Sequence, residues 1–184
     1  STNISREILI NYSPGMFWVM NLFIVVLGVH RSFAYEKEFD AFSLLVSAPI
    51  DRGLIFLSKW ISGFIFLTAT QIIVIAPFFK LLLLDFPENL SFFILTAMLV
   101  NLGMMAIANL VSGIVIRSNF SEILLPLILF PLLSPLMIAA TKISSGVISL
   151  QPFNIWNVWV LIVISIVVLF GLAGYALFDF IVEE

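Results

Sequence analysis

The chain has 184 residues, 62% apolar and 10% charged, with a mean hydropathy of +1.20, whereas soluble domains run at about 45–50% and about 25%. A water-soluble fold cannot hide that much apolar side chain behind so few charges, so lipid is the solvent for most of the chain. The absence of cysteine excludes disulfides, thiolate catalysis and cysteine metal sites, and a formal charge of −3 offers no basic surface for nucleic acid.

The nineteen charged residues divide the chain into crossings. Residues 1–15 lack a continuous apolar core and are not a signal peptide. Between Glu7 and Arg31 lie 23 uncharged residues, which predict a first membrane helix over 15–30. Lys59 to Lys80 encloses 20 and predicts a second over 60–79. Glu88 to Arg117 encloses 28 and predicts a third over 92–116, and Glu122 to Lys142 encloses 19 and predicts a fourth over 123–141. Lys142 to Asp179 encloses 36, but it opens on the polar stretch ISSGVISLQPFN and so predicts one crossing, over 155–178. About 20 apolar residues suffice for each. Runs such as VWVLIVISIVVLF do not alternate, so helices rather than barrel strands are expected. Trp18, Trp60, Trp156 and Trp159 fall near the starts of helices and are assigned to the headgroup region.

With five crossings, the 31–59 segment, the 117–122 turn and the C-terminus share one side. That side holds Arg31, Lys37, Arg52, Lys59 and Arg117, while Arg6, Lys80 and Lys142 lie on the other, so the positive-inside rule makes the first side cytoplasmic. An odd number of crossings puts the ends on opposite sides. Together with Ser1 in place of an initiator methionine, this suggests a missing earlier helix, the alternative being a five-helix protein with a translocated N-terminus.

The spans carry no Asp, Glu, Lys or Arg away from their ends, which argues against proton relays and intramembrane hydrolysis. His30 is the only histidine; it sits at a membrane edge and reads as a half-solvated imidazole rather than a ligand or catalyst. No metal site and no phosphate loop are present, so any ATP must be hydrolysed by another chain. Asn21, Thr68, Thr70, Gln71, Asn101 and Asn109 should face other helices. Asn101 and Asn109 are two turns apart; with Ala108, Ser112 and Gly113 they form a stripe that reads as helix packing, with a substrate pathway as the alternative. In the fourth helix Pro126 is placed in the first turn. Pro131 and Pro135 each free a carbonyl one turn earlier, and the bend either simply curves the helix or shapes a cavity.

The segment RSFAYEKEFDAFSLLVSAPIDRGLIFLSK, residues 31–59, is the most informative, with eight of the nineteen charges. Phe39, Phe42, Leu45 and Val46 fall on one face of an amphipathic helix expected over 36–47. Glu36, Glu38 and Asp40 crowd its start, Pro49 stops it, and Asp51 caps the next helix. Its acidic side disfavours a lipid-surface helix and suits docking on a soluble partner, with Phe39 and Phe42 as anchors and the acids setting orientation.

The pattern Arg31, Phe33, Glu36, Glu38, then Leu44-Leu45, Pro49, Ile55 and Lys59 resembles permeases of type-2 ABC exporters, most of all the CcmB family, haem exporter protein B of cytochrome c maturation. The strings SPGMFWV, FPLLSPLMIAA and LFDFIVEE resemble that family too, so the similarity spans nearly the whole chain. It implies an all-α integral membrane protein with usually six membrane helices, the first being absent here, and a cytoplasmic coupling helix. It also implies a homodimer, ATPase subunits of the CcmA type that hold the ATP, and CcmC and CcmD type membrane subunits, in a bacterial or mitochondrial inner membrane. Haem would be a substrate; no cofactor is expected on this chain, and the tryptophan-rich motif of CcmC is absent, since NIWNVWV does not match it.

The leading expectation is therefore a non-catalytic permease subunit that receives motion from a separate ATPase and serves haem export or release of a haem-loaded chaperone. A membrane scaffold that moves nothing is the alternative. An ion-coupled transporter and an enzyme follow, both disfavoured by the uncharged spans.

Overall fold

In lipid, backbone polar groups must be satisfied within their own segment, which selects continuous helices. The computed structural model describes the backbone of residues 2–116 and 118–183; the side chains of residues 1–6, 42, 46, 117, 179 and 181–184 lie outside the described residues. Among the described residues the regular elements are six α-helices: α1 (Thr2–Glu38), α2 (Ala41–Ser47), α3 (Arg52–Leu81), α4 (Leu90–Val115), α5 (Ser121–Ile148) and α6 (Phe153–Glu183). All but α2 are long and apolar enough to cross a membrane, so the protein is an all-α, five-span membrane protein. The α1–α2–α3 elbow, the α4–α5 turn and the end of α6 share one end of the bundle.

The helices overrun the charge gaps. Helix α1 was expected over 15–30 and runs over Thr2–Glu38, because a charged residue beyond the hydrocarbon does not end a helix. Helix α5 continues past Lys142 to Ile148; the exposed lysine reaches outward on its long stem. Pro126 therefore lies in the second turn of α5, not the first. The expected single helix over 36–47 is not formed. Glu36 and Glu38 end α1, Asp40 takes a left-handed φ of 49° at the break, and α2 begins at Ala41. Glu36 and Glu38 are thus at the carboxyl end of a helix, where the dipole does not favour acids.

Helix α4 is the centre of the bundle. It buries 16 of its 26 residues, including the whole run from Gly103 to Ala108, and packs on α1, α3, α5 and α6. Alternating large and small side chains bring α3 against α6. Phe56 lies on Gly174, Trp60 on Gly171, and Tyr175 on Gly53. Three of the four tryptophans bond within the protein. Trp18 is 1% exposed, packs edge-on to Phe17 and donates from Nε1 to Ser144 Oγ at 2.8 Å. Trp60 donates to the Leu102 carbonyl at 2.8 Å, and Trp156, packed over Gly146, donates to the Gln151 carbonyl at 3.1 Å. Inside lipid an indole N–H needs a protein acceptor, and each of these finds one.

A Cβ at Gly174 would lie 2.0 Å from the Phe56 ring, which is fully buried and has no room to swing aside. Gly174→Ala is expected to destabilise the bundle by about 1–3 kcal/mol. Gly28→Ala, whose Cβ meets nothing within 4 Å, should leave the thermal midpoint unchanged or raised. Melting of the two purified variants in detergent checks both.

Candidate functional site

Two features stand out from simple packing: the elbow between α1 and α3, and a cleft just inside it.

At the elbow, the amide of Phe39 donates to the Tyr35 carbonyl at 3.1 Å and that of Asp40 to the Lys37 carbonyl at 3.3 Å, closing α1. Ser43 Oγ donates to Asp40 Oδ1 at 2.5 Å, and the Asp40 carbonyl accepts from the Leu44 amide at 3.3 Å, starting α2. Ala48 is extended, as a residue before proline should be, so Pro49 ends α2. Asp51 Oδ1 then accepts from the Gly53 amide at 2.7 Å and caps α3, as its sequence position predicts. Apolar side chains remain outside: Phe39 is 68% exposed, Leu44 70% and Ile50 54%. Phe39 stacks on the half-exposed Tyr35, with the rings 14° from parallel. Glu38, Asp40, Pro49 and Asp51 are also exposed. The side chain of Phe42, the other expected anchor, lies outside the described residues.

Glu36 is in a different position from Glu38 and Asp40. It forms an ion pair with Lys59 that ties the end of α1 to the start of α3, so it faces inward rather than toward a partner. Lys37 reaches the other way, donating to the Ser118 carbonyl at 3.2 Å and to Ser121 Oγ at 2.6 Å, and ties α1 to the α4–α5 turn. The elbow is thereby braced on both sides.

Behind the ion pair, α1, α3 and α4 part to leave a cleft of about 530 Å³. Its walls include Ile24 and Gly28 from α1, Phe66 and Leu67 from α3, and Met105 and Asn109 from α4. Gly28 and Phe66 are exposed, so the cleft opens sideways between α1 and α3, which touch each other only sparsely. One turn deeper on each helix the three close again through a relay of amides. Asn101 Nδ2 donates to Gln71 Oε1 at 2.8 Å and to Thr68 Oγ1 at 3.2 Å, Gln71 Nε2 donates to Asn21 Oδ1 at 3.2 Å, and Asn21 Nδ2 donates to the Phe17 carbonyl at 2.8 Å. Asn21, Gln71 and Asn101 are all buried.

Asn101 and Asn109, grouped by sequence spacing, therefore occupy different surroundings. Asn101 belongs to the relay, whereas Asn109 lines the cleft with its Nδ2 buried and without a protein acceptor. Gly113 is buried, and Ser112 Oγ turns back to the Ala108 carbonyl. Pro131 and Pro135 are exposed on the outside of α5 and do not line the cleft. The carbonyl freed by Pro135 is that of Pro131, and it accepts from Ser134 Oγ at 2.8 Å. His30 is half-buried and outside the cleft. Among the described residues no group of three or more His, Asp or Glu is placed to hold a metal ion. Sequence reading identified the elbow; of the cleft it singled out Asn109 and Ser112, as part of a stripe read as helix packing with a substrate pathway as the alternative.

These features define a multi-span membrane subunit whose described residues show no grouping of catalytic or metal-binding side chains. The sequence profile described as CcmB protein matches residues 5–179, and the chain belongs to the CcmB family. It is thus a membrane subunit of the cytochrome c maturation and haem export system. No curated protein and no solved structure matches the chain.

Gln71 both accepts and donates in the relay, so Gln71→Leu strands Asn21 Oδ1 and removes one of the two acceptors of Asn101, leaving Thr68 Oγ1. The expected cost is about 1–3 kcal/mol. Thr70→Val loses only a hydroxyl bonded to the Phe66 carbonyl of its own helix and should change little. Unfolding of both variants in mixed micelles measures the difference.

Proposed function

We propose that this chain is the permease subunit of an ATP-driven complex of the type-2 ABC exporter kind, and that its α2 elbow is where a separate ATPase subunit docks. The observation that carries this reading is the elbow's composition. It presents Phe39, Leu44 and Ile50 to the outside beside Glu38 and Asp40, at the end of the bundle richest in Lys and Arg. An apolar ridge flanked by acids suits a groove with basic edges better than an anionic lipid surface. Family membership supports the setting, and the lack of a phosphate loop in the sequence supports a motor in another chain.

On this reading the elbow end is cytoplasmic, in a bacterial or mitochondrial inner membrane. Closure of the ATPase dimer pulls on α2. The Glu36–Lys59 pair and the Lys37 contacts pass that displacement to α1, α3 and the α4–α5 turn as rigid bodies. A second copy of the chain and membrane subunits of the CcmC and CcmD type complete the complex, and the work done is haem export or release of a haem-loaded chaperone.

Phe39→Ala and Glu38→Lys should each lower recovery of the ATPase subunit in pull-downs from native membranes by about tenfold, a loss of about 1.4 kcal/mol. They should also lower holo-cytochrome c in the same cells. Glu36→Gln, facing Lys59 instead of the partner, should leave recovery within about twofold. Full recovery with both elbow variants would remove the docking assignment.

A further inference from the structure

The cleft between α1, α3 and α4 has the form of a lipid site. From the relay to the ion pair, Gln71 to Lys59 spans twelve residues of α3, roughly 18 Å at a rise of about 1.5 Å per residue. One leaflet of hydrocarbon is about 15 Å deep. The cleft is therefore about one leaflet long, closed at its inner end by amides and bounded at its outer end by charge.

Its chemistry changes along that length in the order of a phospholipid. At the mouth stand Arg31, Lys59 and Glu36, with one positive charge in excess. Arg31 donates to Tyr35 Oη at 2.9 Å and so is drawn toward the elbow end, where headgroups lie. Below the mouth is Asn109, whose buried Nδ2 lacks an acceptor in the protein. Deeper still the wall is apolar, with Ile24, Leu67 and Met105, and Gly28 leaves an open strip along α1. The volume of about 530 Å³ lies within the range of about 300–1,000 Å³ typical of ligand sites.

We infer that the cleft holds one anionic phospholipid from the leaflet on the elbow side: its phosphate at Arg31 and Lys59, and an acyl chain along Gly28 toward the relay. The site is independent of the ATPase reading. A lipid seated there fills the space between two helices that touch each other only sparsely, and so sets the separation of α1 and α3.

The test is native mass spectrometry of the intact protein exchanged into an equal mixture of phosphatidylglycerol and phosphatidylcholine. One phosphatidylglycerol should survive delipidation in preference to phosphatidylcholine. Gly28→Phe places a ring at a position where a Cβ meets nothing within 4 Å and improves helix propensity; it should abolish the retained adduct. Arg31→Gln should keep a lipid but lower the preference for phosphatidylglycerol by about fivefold, the value of about one cationic contact at a membrane surface. Equal retention of the two lipids by the unaltered protein, an unchanged adduct in Gly28→Phe, or a hydrated cleft with no lipid at all would overturn the inference.

Discussion

The dryness of the bilayer decides most of what this chain does with its few polar groups. An amide or indole N–H that water would satisfy at a soluble surface must here find an acceptor on another helix or on its own backbone. Asn21, Gln71 and Asn101 solve this together, with every donor pointing the same way along the relay. Aligned hydrogen bonds of this kind polarise one another. Trp18 with Ser144, Trp60 with the Leu102 carbonyl, and Ser134 with the carbonyl freed by Pro135 solve it locally. Each solution fixes one helix against another or repairs one helix, so the polar residues set the register of a bundle whose apolar surfaces would otherwise slide.

Around these fixed points the packing is uneven. Helix α4 is enclosed on nearly all sides, and α3 meets α6 through aromatic rings seated on glycines. By contrast α1 and α3 are joined chiefly at two levels, the relay and the Glu36–Lys59 pair, with the cleft between. The elbow that connects them carries exposed apolar side chains outside the spans. On the docking proposal, a displacement of α2 acts first on α1 and α3, which it joins and which touch each other only sparsely.

Much of the architecture was legible in the charge gaps, because lipid excludes charge over a fixed thickness; that is why five spans could be counted without any tertiary information. Asp51 as a cap and Pro49 as a stop were legible because both act within a few residues. The break at Asp40 was not legible, since no proline or glycine marks it and the left-handed turn falls on an aspartate. Trp18 was misread as an interfacial ring because α1 starts at Thr2 rather than near residue 15, so the ring lies several turns inside the helix. The separation of Asn101 from Asn109 was invisible for another reason: both sit on α4, and only the positions of α1 and α3 decide which amide finds a partner.

The central claim is that the α2 elbow faces a soluble motor rather than the lipid. It is tested most directly by a photoreactive amino acid at Leu44, the most exposed apolar side chain among the described residues of α2, activated in native membranes. The account predicts a single dominant protein adduct containing the ATPase subunit and sensitive to the nucleotide state of that subunit. Labelling of phospholipid alone, or modification of Leu44→Cys by an impermeant thiol reagent added from the outer side, would contradict it.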